Sequence, residues 1–135
     1  MMEASFTVYY RRATQLAGAM KLCQDDLPAY ASAAVLLAIH SAISYSDALL
    51  IGLGGARPRA ENHGEAVPAL KRTCTKAGID HQGISQFQKL LKAKSDVSYG
   101  DQQVDDEKVT ALCIAAERFQ AWAERILQRR EGRLS

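Results

Sequence analysis

Leu27-Pro28-Ala29-Tyr30-Ala31-Ser32-Ala33-Ala34-Val35-Leu36-Leu37-Ala38-Ile39-His40-Ser41-Ala42-Ile43-Ser44-Tyr45-Ser46-Asp47-Ala48-Leu49-Leu50-Ile51-Gly52 decides the fold. Asp25 and Asp26 stand just before it, and Pro28 falls in the first helical turn, where a missing N–H costs nothing. Gly52, Gly54 and Gly55 stop the helix at its other end. From Ala33 to Ile43 it is apolar on nearly every side, which predicts a helix at the centre of a bundle. The same stretch is interrupted by His40 and Ser41, so it is read as too short and too polar to span a bilayer.

Four further helices are predicted around this rod. Phe6, Tyr9, Ala13, Leu16, Ala17 and Met20 recur at helical steps, giving a first helix from about Ala4 to Cys23. After the loop Ala56 to Asn62, Asn62 can cap a third helix with Glu65 reaching back to it. That helix carries Val67, Leu70 and Cys74, is expected to bend at Pro68, and ends at Gly78. A fourth, from about Gln82 to Lys94, carries Ile84, Phe87, Leu90 and Leu91, and Ser95 to Gln103 reads as a turn. Asp105 caps the last helix, with Val104 stapled to Val109. Its seam is Val109, Leu112, Cys113, Ala116, Phe119, Ala123, Ile126 and Leu127, and the tail Arg129–Ser135 is expected to fray. The fold class is therefore all-α: an antiparallel up-and-down bundle of four main helices plus one short helix. One domain over residues 1–135 is expected, with an ordered core from about Ala4 to Gln128.

Composition narrows the function classes. Seventeen Lys+Arg against 15 Asp+Glu leave a net charge of only +2 over 135 residues. Nucleic acid could then be held only by a local cationic patch. Nine glycines and three prolines exclude collagen-like and disordered classes. Cys23, Cys74 and Cys113 are far apart and odd in number, which gives neither a disulfide framework nor a zinc knuckle. Free thiols packed as small hydrophobes suit a reducing cytoplasm, and Met1-Met2-Glu3-Ala4-Ser5 has no signal-peptide character. No metal-ligand spacing or phosphate-binding glycine loop is present, so no metal and no cofactor is expected.

The polar residues of the central helix are the first candidates. His40, Ser44 and Asp47 follow at steps of four and three, on one face, with Ser41 and Tyr45 on its flank. They form either a satisfied polar seam, with Ser44 bonding back to the carbonyl of His40, or the wall of a site. His63 is the second candidate. Next to an Asn62 cap it would sit in the first helical turn, where the helix dipole favours the neutral, proton-accepting ring. Arg57 and Arg59 precede it, and the guanidinium fork suits phosphate. His81 reads as an exposed residue at a helix start. Lys89, Lys92 and Lys94 on the fourth helix, and Arg125, Arg129 and Arg133 on the last, read as cations near helix C-termini.

Three stretches together resemble the HEPN superfamily of small helical nucleotide-binding domains, over about Phe6 to Leu127. They are Ala38 to Leu49, the loop Gly54 to His63, and Leu90 to Tyr99 with the following Val104-Asp105-Asp106-Glu107 and Ala115 to Phe119. The resemblance implies a homodimer, often encoded beside a nucleotidyltransferase or within toxin–antitoxin and defence systems. Nuclease members carry Arg-x(4–6)-His, a spacing met here by Arg57 and His63. Pro58 follows the arginine where the family usually has a polar residue, and Lys94 and Ser98 stand where many relatives have Arg and Asp. Two functions follow, beside a third, a small-molecule regulator with a pocket among the helices. One is an RNA- or nucleotide-binding domain acting as a metal-independent ribonuclease. In it His63 would be the general acid or base, Arg57 would stabilise the phosphorane with Arg59 or Lys94, and Asp47 and Tyr99 would orient them. His40 and Ser44 would complete the substrate-binding wall. The other is a non-catalytic dimerisation module that docks a partner such as a nucleotidyltransferase. Both place the chain in the cytoplasm, away from membranes.

Overall fold

A computed structural model describes the backbone of residues 2–57, 63–99 and 105–134, and the side chains of 5–57, 64–94 and 105–129. Its elements are α1 (Met2–Gln24), α2 (Leu27–Gly52), a 3-10 turn (His63–Glu65), α3 (Ala66–Ala77), α4 (Ile84–Tyr99) and α5 (Asp106–Leu134). The domain is an all-α bundle in which α1 packs mainly on α2, α2 on α5, and α4 on α5.

Long-range contacts set the directions. Tyr10 of α1 meets the Tyr45 ring edge-on at 6.2 Å, as a tight hairpin of α1 and α2 requires. Tyr45 bonds Glu124 of α5, while Cys113, eleven residues earlier on α5, lies within electrostatic reach of the Cys23 sulfur at the end of α1. α5 therefore runs in the same direction as α2. The Phe87 ring of α4 stacks on Phe119 of α5 at 5.0 Å, and Gly83 just before α4 packs on Trp122, so α4 opposes α5.

The core is built from the expected stripes. Ala13, Ala17 and Met20 of α1, Leu70 and Cys74 of α3, Ile84, Phe87 and Leu90 of α4, and the whole α5 seam from Val109 to Leu127 are buried. Each such large side chain removed from water contributes about 1.5–3 kcal/mol. Phe119 is stacked between Phe87 and Trp122.

Several ends differ from expectation. Asp26 occupies the α2 N-cap but makes no side-chain capping bond, and Tyr30 leaves helical geometry (φ −124°, ψ 24°), kinking the first turn. α2 is not wrapped on all sides either: Ala29, Tyr30, Ala33, Leu36 and His40 are exposed. The helix is long and apolar enough to cross a bilayer by length and composition: an 18-residue window of it has mean hydropathy 1.6, and 67% of that window is buried inside the bundle. Pro68 does not bend α3. It is the third residue of the helix, within the first turn, whose N–H groups have no intrahelical acceptor. α4 continues through residues 95–99, where a turn was expected, and α5 keeps helical backbone to Leu134, through nearly all of the segment expected to fray.

Other ends follow the sequence reading. Gly78 closes α3 at φ +72°, a left-handed conformation that side chains resist, with its N–H and that of Ile79 bonded back to Thr75 and Cys74. Asp105 Oδ1 accepts the Lys108 N–H at 2.8 Å, the capping bond expected of it. Asn62 and Val104, named as cap and staple, lie outside the described residues.

Candidate functional site

The end of α2 brings two of the expected site residues together. Gly54 (φ +82°) and Gly55 turn the chain, and Gly55 N–H bonds back to the Leu50 carbonyl at 2.7 Å. This turn returns Arg57 toward α2, where its Nε lies 3.3 Å from Asp47 Oδ1. The Arg57 guanidinium also sits over the Tyr9 ring, 4.1 Å from its centroid, and Arg12 approaches the same ring at 5.3 Å. A half-exposed ion pair of this kind is worth at most about 1 kcal/mol, so its effect is to orient Arg57 more than to stabilise the fold. The sequence reading places Tyr9 in the apolar stripe of the first helix and gives Arg12 no role. Nothing local in the sequence marks them, because α1 meets this loop across the hairpin.

The rest of the expected constellation is not gathered there. His63 opens the 3-10 turn ahead of α3 instead of standing in the first turn of an α-helix. Its side chain, like that of Tyr99, is outside the described set, as is the whole of Arg59. Lys94 is half-buried near the far end of α4. Since Phe87 is level with Phe119, and Asp47 lies beyond the level of Glu124, Lys94 and Asp47 are separated by about 20 Å along the bundle at 1.5 Å per residue. Tyr99 is farther still from Asp47. The face of His40, Ser44 and Asp47 is also divided: His40 is exposed, Ser44 is buried, and Asp47 lies between. The back-bond expected of Ser44 is made instead by Ser41, whose Oγ donates to the Ala38 carbonyl at 3.0 Å. Ser46, 1% exposed, has no partner for its Oγ among the described residues.

The main polar tie of the interior is one that periodicity did not reveal. Glu124 of α5 accepts the Tyr10 hydroxyl on Oε2 at 2.7 Å and the Tyr45 hydroxyl on Oε1 at 2.8 Å. One carboxylate thus joins α1, α2 and α5. Burial, reinforced by Glu124, drives the Tyr45 phenol well above its ordinary range, so it remains a proton donor.

A cavity of about 710 Å³ opens beyond the end of α2. Gly52, Leu53, Ala77, Gly78, Ile79 and Asp80 form one side, and Trp122, Arg125, Ile126 and Arg129 of α5 the other. Asp80 Oδ1 accepts the Gln82 N–H at 2.9 Å and the Trp122 indole N–H at 3.4 Å. The Gln82 bond is the main reason its carboxyl is held below the usual carboxylate range. Arg125 and Arg129 were recognisable as a face of α5, but their dipole placement explained them without a cavity. No protein-family model matches this chain, and no curated protein is significantly similar to it.

Proposed function

We propose that the chain is a HEPN-like domain that binds RNA or a nucleotide at the Asp47–Arg57 end of α2. We read the bundle in its finer form as four main helices running up and down, with α3 as the short fifth in the α2–α4 connection. The observation that carries the functional reading is the held arginine: Asp47 keeps Arg57 against Tyr9 at the entrance to the loop leading to His63. A guanidinium already oriented loses less freedom on meeting a phosphate. In the sharper version His63 exchanges the proton of a ribose hydroxyl and Arg57 stabilises the phosphorane, with no metal, as part of a cytoplasmic toxin–antitoxin or defence system.

The test is a binding and cleavage assay on single-stranded RNA in EDTA. Arg57→Ala should weaken RNA binding about tenfold, and His63→Ala should abolish cleavage while retaining binding. Equal cleavage by wild type and His63→Ala removes the nuclease version; equal binding by wild type and Arg57→Ala removes the site.

A second reading is favoured by a different observation. Large apolar side chains are exposed toward the α1–α2 turn: Leu22 is 73% exposed, Tyr30 53% and Leu36 41%. Such a surface suits a non-catalytic module that forms a homodimer and docks a nucleotidyltransferase. Leu22→Glu with Leu36→Glu should then convert a dimer to a monomer in light scattering. A wild-type chain that is monomeric at high concentration refutes this version.

A further inference from the structure

We propose that the cavity between the end of α2, the α3–α4 turn and α5 is a binding site for a phosphomonoester of about nucleotide size. It is separate from the loop site, since neither Asp47 nor Arg57 lines it. Its volume of about 710 Å³ lies in the range of small-molecule sites. Gly52, Ala77 and Gly78 leave the space open because they have little or no side chain. Leu53, Ile79 and Ile126 supply apolar wall.

The polar groups are asymmetrically placed. Arg125 and Arg129 stand one turn apart on α5, both exposed, and neither has a carboxylate within 4.0 Å among the described residues. Two guanidinium groups on one face match a phosphomonoester, which carries about −1.5 to −2 charge and three acceptor oxygens near neutral pH. Asp80, on the other wall, has Oδ1 engaged by Gln82 and Trp122, and the Arg125 guanidinium is near enough to favour its ionised form further. Its ionised form is favoured by those bonds, so it acts as an acceptor. The site therefore offers two guanidinium groups, an apolar wall and one anionic acceptor close to Arg125. The complement is a phosphate for the arginine pair, reached most freely at Arg129, a ring or short apolar body, and an N–H or O–H donor for Asp80 beside Arg125.

The dipole explanation of Arg125 and Arg129 does not cover this arrangement. Arg125 is nine residues before the end of α5, more than two turns from its terminal carbonyls.

Trp122 is the chain's one tryptophan and lines the cavity, so its indole N–H resonance reports occupancy. Titration with adenosine 5′-monophosphate should shift that resonance. Inorganic phosphate and free adenosine should each bind at least tenfold more weakly, because each lacks one part of the match. Arg125→Gln with Arg129→Gln should weaken binding at least tenfold, whereas Lys89→Gln with Lys92→Gln, an equal loss of charge on α4, should change it less than twofold. Ala77→Trp, built from an exposed wall residue, should fill the space and abolish binding. No movement of the indole signal at millimolar nucleotide, or unaltered affinity in the Arg125/Arg129 variant, overturns the proposal. Nucleotide binding that leaves the indole unmoved and is lost in Arg57→Ala assigns the ligand to the loop site and overturns this one alone.

Discussion

The two halves of α2 have similar composition and different surroundings. From Ser41 to Leu50 every residue is buried except the half-buried Ile43 and Asp47. From Pro28 to His40 the same kind of sequence leaves Ala29, Tyr30, Ala33 and Leu36 exposed. The later half is covered by α1 on one side and α5 on another and ends against the α3–α4 turn. The earlier half begins with a kink and has fewer neighbours. An apolar residue on a helix reports what could be buried; the number of elements that reach it determines what is buried.

Leu49 and Leu36 make that contrast into a matched experiment. Leu49→Ala should cost about 2–5 kcal/mol in denaturant unfolding, the usual loss for a leucine cavity in a closed core. A cost below about 1 kcal/mol would show that the later half is loosely packed. The next effect comes from Gly83, where an added methyl would meet the Trp122 ring closer than side chains approach one another. Gly83→Ala should lose about 1–3 kcal/mol through forced repacking. Pairing it with a smaller residue at Trp122 should recover part of that loss.

A smaller effect is expected in alkali. Burial raises the Cys74 and Cys113 thiols from 9.0 to about 11, and raises Tyr45 as well. Groups whose folded pKa is raised keep their proton in the native state, so their stability contribution is intact below the unfolded values. It is lost as pH rises through about 9 and toward the folded values. The thermal midpoint should fall over that window, and Cys74→Ala with Cys113→Ala should flatten the fall. A midpoint unchanged up to pH 11 would contradict it. Smallest of all, Leu36→Ala should alter stability by no more than about 0.5 kcal/mol, because it removes area that is already partly wet.

The helices were legible because each carries its own signals: stripes at three and four residues, Gly78 in a left-handed cap, Asp105 on an open N–H. Pairings between helices were not. The bonds from Tyr10 and Tyr45 to Glu124 span 114 and 79 residues, and neither tyrosine differs locally from an ordinary core aromatic. Gly83 falls at the start of the expected fourth helix, and nothing in the sequence singles it out until Trp122 is placed on it. The site was legible in one pair only. Asp47 and Arg57 meet because a glycine turn reverses the chain between them, whereas grouping Lys94 and Tyr99 with them required a knowledge of helix direction that spacing does not contain. Arg125 and Arg129 were visible as cations, but a cavity is made by the absence of side chains from three elements at once.

The reliance of α1 on a single broad contact has a dynamic outcome. Beyond its packing on α2, it touches α5 little, and the bond from Tyr10 to Glu124 is a polar link there. A segment fastened mostly along one side can detach without dissolving the remainder, so its amide protons should exchange with solvent sooner than those of α5. While detached, it would uncover Tyr45 and the apolar side of α2, giving the molecule a transient adhesive state at little cost to its other four helices.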